Sequence, residues 1–231
     1  MAQMNPGDYD MNPDIKRFRT KGPRDLVVYY TQEMEGGGTW FGQEYVSVVK
    51  QRYPDRVFDR CYEWCSGPGF IGYALLDHGV CRTVCFSDLY DPAVEMVRWT
   101  SRLPANSCAD QVTAYLFRDL ALMPAHEQFD LIVANPPHNP GGDAETLTRQ
   151  HNTRIEQDPV WAGHQNFFSN IKKHLAPNGI ILLQENAIGS SVKTFEPWIT
   201  AAGLRVTDAF PSPGYYIDEF TKIYYIEIQH Q

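Results

Sequence analysis

The chain has 231 residues, 43% of them hydrophobic, which suits one α/β domain with a modest extension. Its 20 Lys and Arg against 28 Asp and Glu leave a formal net charge of −8, which argues against the broad basic footprint of a nucleic-acid binder. No apolar run approaches the roughly 20 residues that span a bilayer, and the opening Met-Ala-Gln-Met-Asn-Pro has no signal-peptide core; the expectation is a cytoplasmic protein with no membrane partner.

Residues 1–35 are polar and interrupted by proline, with a short helix expected over 14–19 and an apolar patch over 26–30. Lys16, Arg17, Arg19, Lys21 and Arg24 cluster here and read as a solvated, mobile arm. Gly36-Gly37-Gly38 then makes a hinge-like break. The aromatics Phe18, Tyr29 and Tyr30 suggest a segment that packs, so residues 1–37 are read as an N-terminal lid and 38–231 as the main domain.

After the glycines the pattern alternates. Helices are expected over 43–52, 70–77, 92–100, 161–174 and 193–202, and strands over 57–64, 83–86, 112–117, 129–134, 180–184, 204–210 and 223–228. Such alternation predicts a mainly parallel sheet covered by helices on both faces. The turn-rich Pro211-Ser212-Pro213-Gly214 joins the last two strands without a clear helix, so they should pair as an antiparallel hairpin. The five cysteines, Cys61, Cys65, Cys81, Cys85 and Cys108, fall in apolar or strand-like stretches without zinc spacing and read as buried free thiols, with no metal expected.

Four successive strands end in ligand-capable residues. The first is followed by Glu63-Trp64-Cys65-Ser66-Gly67-Pro68-Gly69, where Gly67 and Gly69 allow a tight turn and close backbone approach before a helix. The second ends at Asp88, about twenty residues on, where an acid can take both ribose hydroxyls. The third leads to Asp119-Leu120, and the fourth ends in Asn135-Pro136-Pro137-His138. Asp88 also suits capping of the helix near Pro92, and Asp119 suits a turn. Paired prolines forbid a continuing helix. They present carbonyls with no competing N–H, and Asn135 adds another acceptor; such a loop can hold an –NH2 group by its protons while its lone pair stays free to attack.

In this order the motifs resemble class I S-adenosylmethionine-dependent methyltransferases, in particular the branch with an Asn-Pro-Pro-aromatic loop that methylates planar nitrogens. The similarity spans roughly residues 38–228. It implies a Rossmann-like fold with a mostly parallel seven-stranded sheet and S-adenosylmethionine as cofactor. It also implies that Glu63, Gly67 and Gly69 surround the methionine moiety, Asp88 the ribose, and Asp119 with Leu120 the adenine. Phe41 and Gln43, in Thr39-Trp40-Phe41-Gly42-Gln43, are implied at the cofactor's amino-acid end, and Asn135 with Pro136 at the nitrogen.

Two residues depart from that pattern. Cys65 stands at the first glycine, and His138 replaces the aromatic that stacks on a flat acceptor. His138 is therefore carried with Asn135 and Pro136 as a catalytic candidate, and the expected acceptor is a small molecule. An alternative has the cofactor's own amine attack its Cγ, giving azetidine-2-carboxylate and methylthioadenosine; a further one is a cofactor-binding subunit without chemistry. Tyr29, Tyr30, Trp161 and Glu185 are placed on the substrate side, with His164, Asn186, Tyr215 and Tyr216 beside them in second rank.

Overall fold

The computed structural model describes residues 14–141, 157–214 and 222–231. Its main sheet has seven strands: β3 (Phe58–Trp64), β4 (Cys81–Asp88), β5 (Val112–Leu116), β6 (Phe129–Ala134), β7 (Leu175–Asn186), β8 (Leu204–Pro211) and β9 (Ile223–His230). The spatial order is β5-β4-β3-β6-β7-β9-β8. Strands β3 to β7 run parallel, and β9 lies antiparallel to both β7 and β8, as the expected closing hairpin.

Side chains alternate across this sheet with period two, and both faces are apolar. Cys61, Leu131, Val133, Ile180 and Leu182 point to one layer, packed under α1 (Tyr45–Arg52) and α2 (Phe70–Asp77). Tyr62, Ile132, Ala134, Ile181 and Leu183 point to the other, under α4 (Ala162–Ile171) and α5 (Val192–Ala201). Between the layers the central strands are sealed from water, so only their ends can present chemistry. All five cysteines are free thiols; four are buried and Cys65 half-buried. No described helix is long and apolar enough to cross a membrane.

The helix expected over 14–19 is instead strand β1 (Ile15–Arg19), paired antiparallel with β2 (Val27–Thr31). Its charged residues carry helix propensity, but propensity is a weak prior against tertiary pairing. The basic residues Lys16, Arg17, Arg19, Lys21 and Arg24 are exposed as expected, with Arg19 pairing with Asp25 at 2.6 Å and Arg24 donating to the Asn106 carbonyl at 2.7 Å. The hairpin lies on α2 and α3 (Asp91–Arg102), with Tyr29 edge-on to Trp99 and both Phe18 and Tyr30 edge-on to Phe70.

One carboxylate anchors it. Asp77, at the end of α2, accepts from the Thr20 hydroxyl and from the backbone N–H groups of Gly22 (2.9 Å) and Arg24 (2.8 Å). Asp77→Ala is expected to cost about 1–3 kcal/mol, because several buried donors lose their acceptor together. Hydrogen exchange across residues 26–30 should speed up by more than the global loss accounts for, and an unchanged exchange rate there would contradict the anchoring role.

The Gly36-Gly37-Gly38 stretch is a packed turn. Glu35 accepts from the N–H groups of Gly37 and Thr39, and a Cβ at Gly38 would stand 2.4 Å from the Phe70 ring.

Candidate functional site at the carboxyl edge of the sheet

The turn after β3 is shaped by backbone that side chains resist. Gly67 has φ +50° and Gly69 φ +90°, and a Cβ at Gly69 would lie 2.7 Å from the Phe86 ring. Cys65, at the position of the first glycine in the methyltransferases that the sequence resembles, also takes a left-handed φ of +53°, an uncommon conformation for a residue with a side chain. Glu63 is buried beneath the turn and accepts from the N–H groups of Gly72 (2.6 Å) and Ile71 (3.4 Å) at the start of α2. Burial pushes its carboxyl up to about 8 against those two bonds, with the charge of Asp88 adding to the rise.

Asp88, the last residue of β4, clasps this turn: Oδ2 accepts from Gly67 N at 2.8 Å and Oδ1 from Tyr90 N at 2.9 Å. The carboxylate is thereby fixed at the sheet edge and does not cap α3, whose N-cap is Tyr90. Beyond β5, Asp119 caps the short turn Leu120–Leu122, accepting from Ala121 N at 2.9 Å and from the Asn166 amide at 2.7 Å. Those bonds hold its carboxyl below its ordinary value. The Leu120 N–H donates to Asn166 Oδ1 at 2.9 Å, so Asn166 of α4 grips both residues implied for the adenine.

Phe41 and Gln43 lie in the turn Phe41–Glu44, which contacts the start of α2 and β7. The Phe41 carbonyl accepts from Gln184 Nε2 at 3.0 Å, and Gln43 Nε2 donates to the Phe70 carbonyl at 3.2 Å. The turn Gln32–Met34 sits over the glycine loop: the Met34 carbonyl lies 3.6 Å from where a Gly67 Cβ would stand.

At the other side of the edge, β6 and β7 release Asn135 and Glu185 close together, since Ala134 pairs with Leu183. Glu185 is fully buried. His164 of α4 is also fully buried, with Nδ1 2.7 Å from Asp158 Oδ2 and Nε2 3.0 Å from Glu185 Oε1. Burial disfavours its charged form, but the Glu185 charge and the two hydrogen bonds outweigh that and lift its pKa to about 9. Conversely, the His164 charge outweighs burial at Glu185 and keeps that carboxyl low. The row is thus carboxylate, imidazolium, carboxylate. It continues to His138, whose Nδ1 lies 3.5 Å from Glu185 Oε2.

Backbone strain sets up the row. Val160 and Trp161 take left-handed φ values of +51° and +58°, turning the chain so that Asp158 accepts from Gly163 N (2.8 Å) and His164 N (3.0 Å) at the start of α4. Trp161 is edge-on to His164, and Phe195 of α5 stacks on it at 4.7 Å. Among the described residues, Asn135 Oδ1, His138 Nδ1 and Glu185 Oε2 are buried polar atoms without a hydrogen-bond partner. No group of three or more His, Cys, Asp or Glu among the described residues is placed to hold a metal ion.

The structure therefore gathers Glu63, Gly67, Gly69 and Asp88 in one turn, and Asn135, Pro136, His138, Trp161 and Glu185 at a second place on the same edge. Asp119 and Leu120 lie on a third, beside Asn166. Tyr29 faces α3 and Tyr30 faces Phe70. Tyr215 and Tyr216 lie outside the described residues. Asp158, Asn166 and Phe195 were not singled out from sequence; the only signal for Asp158 is an acid placed just before a helix start.

No protein-family model and no curated protein matches the sequence. Solved structures do match in fold. The glycopeptide N-methyltransferase MtfA aligns with a TM-score of 0.58 at 14% identity, covering 82% of this chain and 90% of that one. A ribosomal protein L11 methylase from Lactobacillus delbrueckii subsp. bulgaricus gives 0.55 at 14% identity over 82% and 78% of the two chains. An S-adenosylmethionine-dependent methyltransferase from Clostridium acetobutylicum gives 0.55 at 10% identity over 82% and 90%. The chain has the class I methyltransferase fold.

The edge is compatible with S-adenosylmethionine: a carboxylate fixed at the end of β4, a turn with no room for a side chain at Gly69, and unpartnered acceptors at the ends of β6 and β7. Asp88→Ala is expected to weaken binding of that cofactor by about 1–3 kcal/mol, the cost of leaving polar partners unmet in a closed site. Calorimetry measures this, and unchanged affinity would remove Asp88 from the ribose role.

Proposed function

We propose that the chain is a small-molecule N-methyltransferase that uses S-adenosylmethionine, with the attacking nitrogen held by Asn135 and the carbonyls of the Asn135-Pro136-Pro137 loop. The observation that carries this reading is the buried Asn135 Oδ1, an acceptor with no partner among the described residues at the end of β6. A buried unpaired acceptor is costly, and one that awaits an N–H donor explains the cost. The cofactor supplies carbon on an already activated sulfonium, so the chain's task is to align a nucleophile near 3 Å from it. Gly67, Gly69 and Asp88 hold the cofactor in this reading, and Asn135 orients the lone pair.

The surroundings favour a small acceptor with an apolar body. Large apolar side chains are exposed at Leu89, Leu122 and Ile188, which lie in the segments following the carboxyl ends of β4, β5 and β7. The net charge of −8 disfavours a nucleic acid. A second reading makes the cofactor's own amine the nucleophile. It is favoured by the Gln32–Met34 turn, whose Met34 carbonyl lies 3.6 Å from where a Gly67 Cβ would stand, over the loop implied for the methionine end.

Mass spectrometry separates these readings. The protein is incubated with S-adenosylmethionine alone and with a panel of primary amines. A methylated amine supports the first reading, and methylthioadenosine with a cyclic amino acid from the cofactor alone supports the second. Binding without either product contradicts both.

A further inference from the structure

The row Asp158–His164–Glu185–His138 is more than packing requires, and it ends beside the nitrogen-holding loop. A buried ion pair is weak evidence for stability, because desolvation offsets most of the attraction. Here the row also leaves an excess: with His164 charged, its two carboxylates give a net negative charge in a buried place. His164 uses Glu185 Oε1 and leaves Oε2 directed at His138, with no other partner among the described residues. An unmet acceptor, Asn135 Oδ1, stands at the end of β6, which pairs with the strand that carries Glu185. Flat amides and ring nitrogens offer at most two N–H groups and no charge, whereas an alkylammonium offers three and carries the matching positive charge.

Resting on the N-transfer reading above, we propose that the nucleophile enters this site as an ammonium ion and that His138 is the base that deprotonates it, oriented by Glu185. Glu185 Oε2 lies 3.5 Å from His138 Nδ1 and takes the proton of that nitrogen once the ring turns to close the gap, so Nε2 carries the lone pair. The ammonium N–H bond breaks as an Nε2–H bond forms. The freed nitrogen pair makes the new N–C bond while the C–S bond breaks and its electrons remain on sulfur. His138, 18% exposed, then returns the proton to water. His164 and Asp158 are positioning residues that hold Glu185 ionised and aimed. The other ionisable groups that feel this row are Tyr45 and Tyr224, both beside Glu185, and Cys65, whose thiol is pushed up by burial with the charges of Asp158 and Glu185 adding to the rise.

The test compares unmodified protein with His138→Gln on phenethylamine, protonated at neutral pH, and aniline, neutral there. Methylthioadenosine release from S-adenosylmethionine alone is measured in parallel. His138→Gln should lower turnover of phenethylamine by about 10²–10⁴-fold at neutral pH, the range of a lost general base. The loss should shrink at alkaline pH and be far smaller for aniline at every pH. Equal losses for both amines, independent of pH, overturn the base role while leaving N-transfer intact. Absence of product from every amine and from the cofactor alone overturns both.

A readout without turnover is the tautomer of His138 in unliganded protein, read by ¹⁵N NMR. The expected neutral form has Nδ1 protonated, and Glu185→Gln should remove that preference while circular dichroism confirms the fold. A lone pair on Nδ1 in the unmodified protein would overturn the proposal.

Discussion

Asn135→Ala is expected to lower turnover by about 10²–10³-fold, the scale on which loss of one aligned polar group acts. The same substitution should leave the unliganded protein as stable as the parent or slightly more stable. The two effects share one cause. Asn135 Oδ1 is buried with no partner among the described residues, so the free protein gives up no hydrogen bond there when it is removed. A site that spends stability on an unmet acceptor is the usual trade between stability and activity. Cofactor affinity discriminates the two readings: it should change little if the nitrogen belongs to a separate amine, and appreciably if it is the cofactor's own. Chemical denaturation and steady-state rates check the pair of effects together. Equal turnover in mutant and parent would sink both readings.

The second large effect belongs to His164. His164→Leu should cost about 3–5 kcal/mol, because it leaves Asp158 and Glu185 as uncompensated buried charges. The unmodified protein should also show the pH signature of that residue. Its pKa is raised from 6.5 to about 9 on folding, which corresponds to about 3 kcal/mol of linked stability. Because the folded value lies above the unfolded one, the contribution is complete below pH 6.5 and is lost as pH rises through 9. Urea titrations across that window should show stability falling with pH, and His164→Leu should flatten the part of the slope that is due to this residue. A variant as stable as the parent, or one with an unaltered slope, would contradict a charged His164.

Much of the sheet was legible because its punctuation is local. β6 begins and ends where expected, at Phe129 and Ala134, since an apolar run meets Asn-Pro-Pro. α2 does likewise at Phe70 and Asp77, bounded by Gly69 and Gly79. β7 runs from Leu175 to Asn186 where only 180–184 was expected, because Pro177, Asn178 and Gly179 read as a turn yet lie inside the strand, with a register shift against β6. The strand β1 was hidden because its partner β2, and not its own composition, decides its conformation.

The site divides the same way. Gly67, Gly69, Asp88 and Asn135 announce themselves by position at strand ends. His164 was visible only as a second-rank candidate, and its grouping with Asp158 and Glu185 was not visible: they lie 6 and 21 residues away in sequence, and only the fold brings them together. Cys65 marks the limit of pattern reading, since its side chain departs from the glycine of the resembled motif while its backbone keeps a glycine-like φ of +53°.

A crystal structure of the protein with S-adenosylmethionine and a turned-over amine would show whether this sheet edge holds the cofactor with a nitrogen at Asn135. The account predicts the ribose hydroxyls on Asp88, the methionine end along Gly67–Gly69, and a nitrogen within about 3 Å of Asn135 Oδ1. A cofactor bound elsewhere, or bound here with Asn135 Oδ1 still without a nitrogen partner, would contradict it.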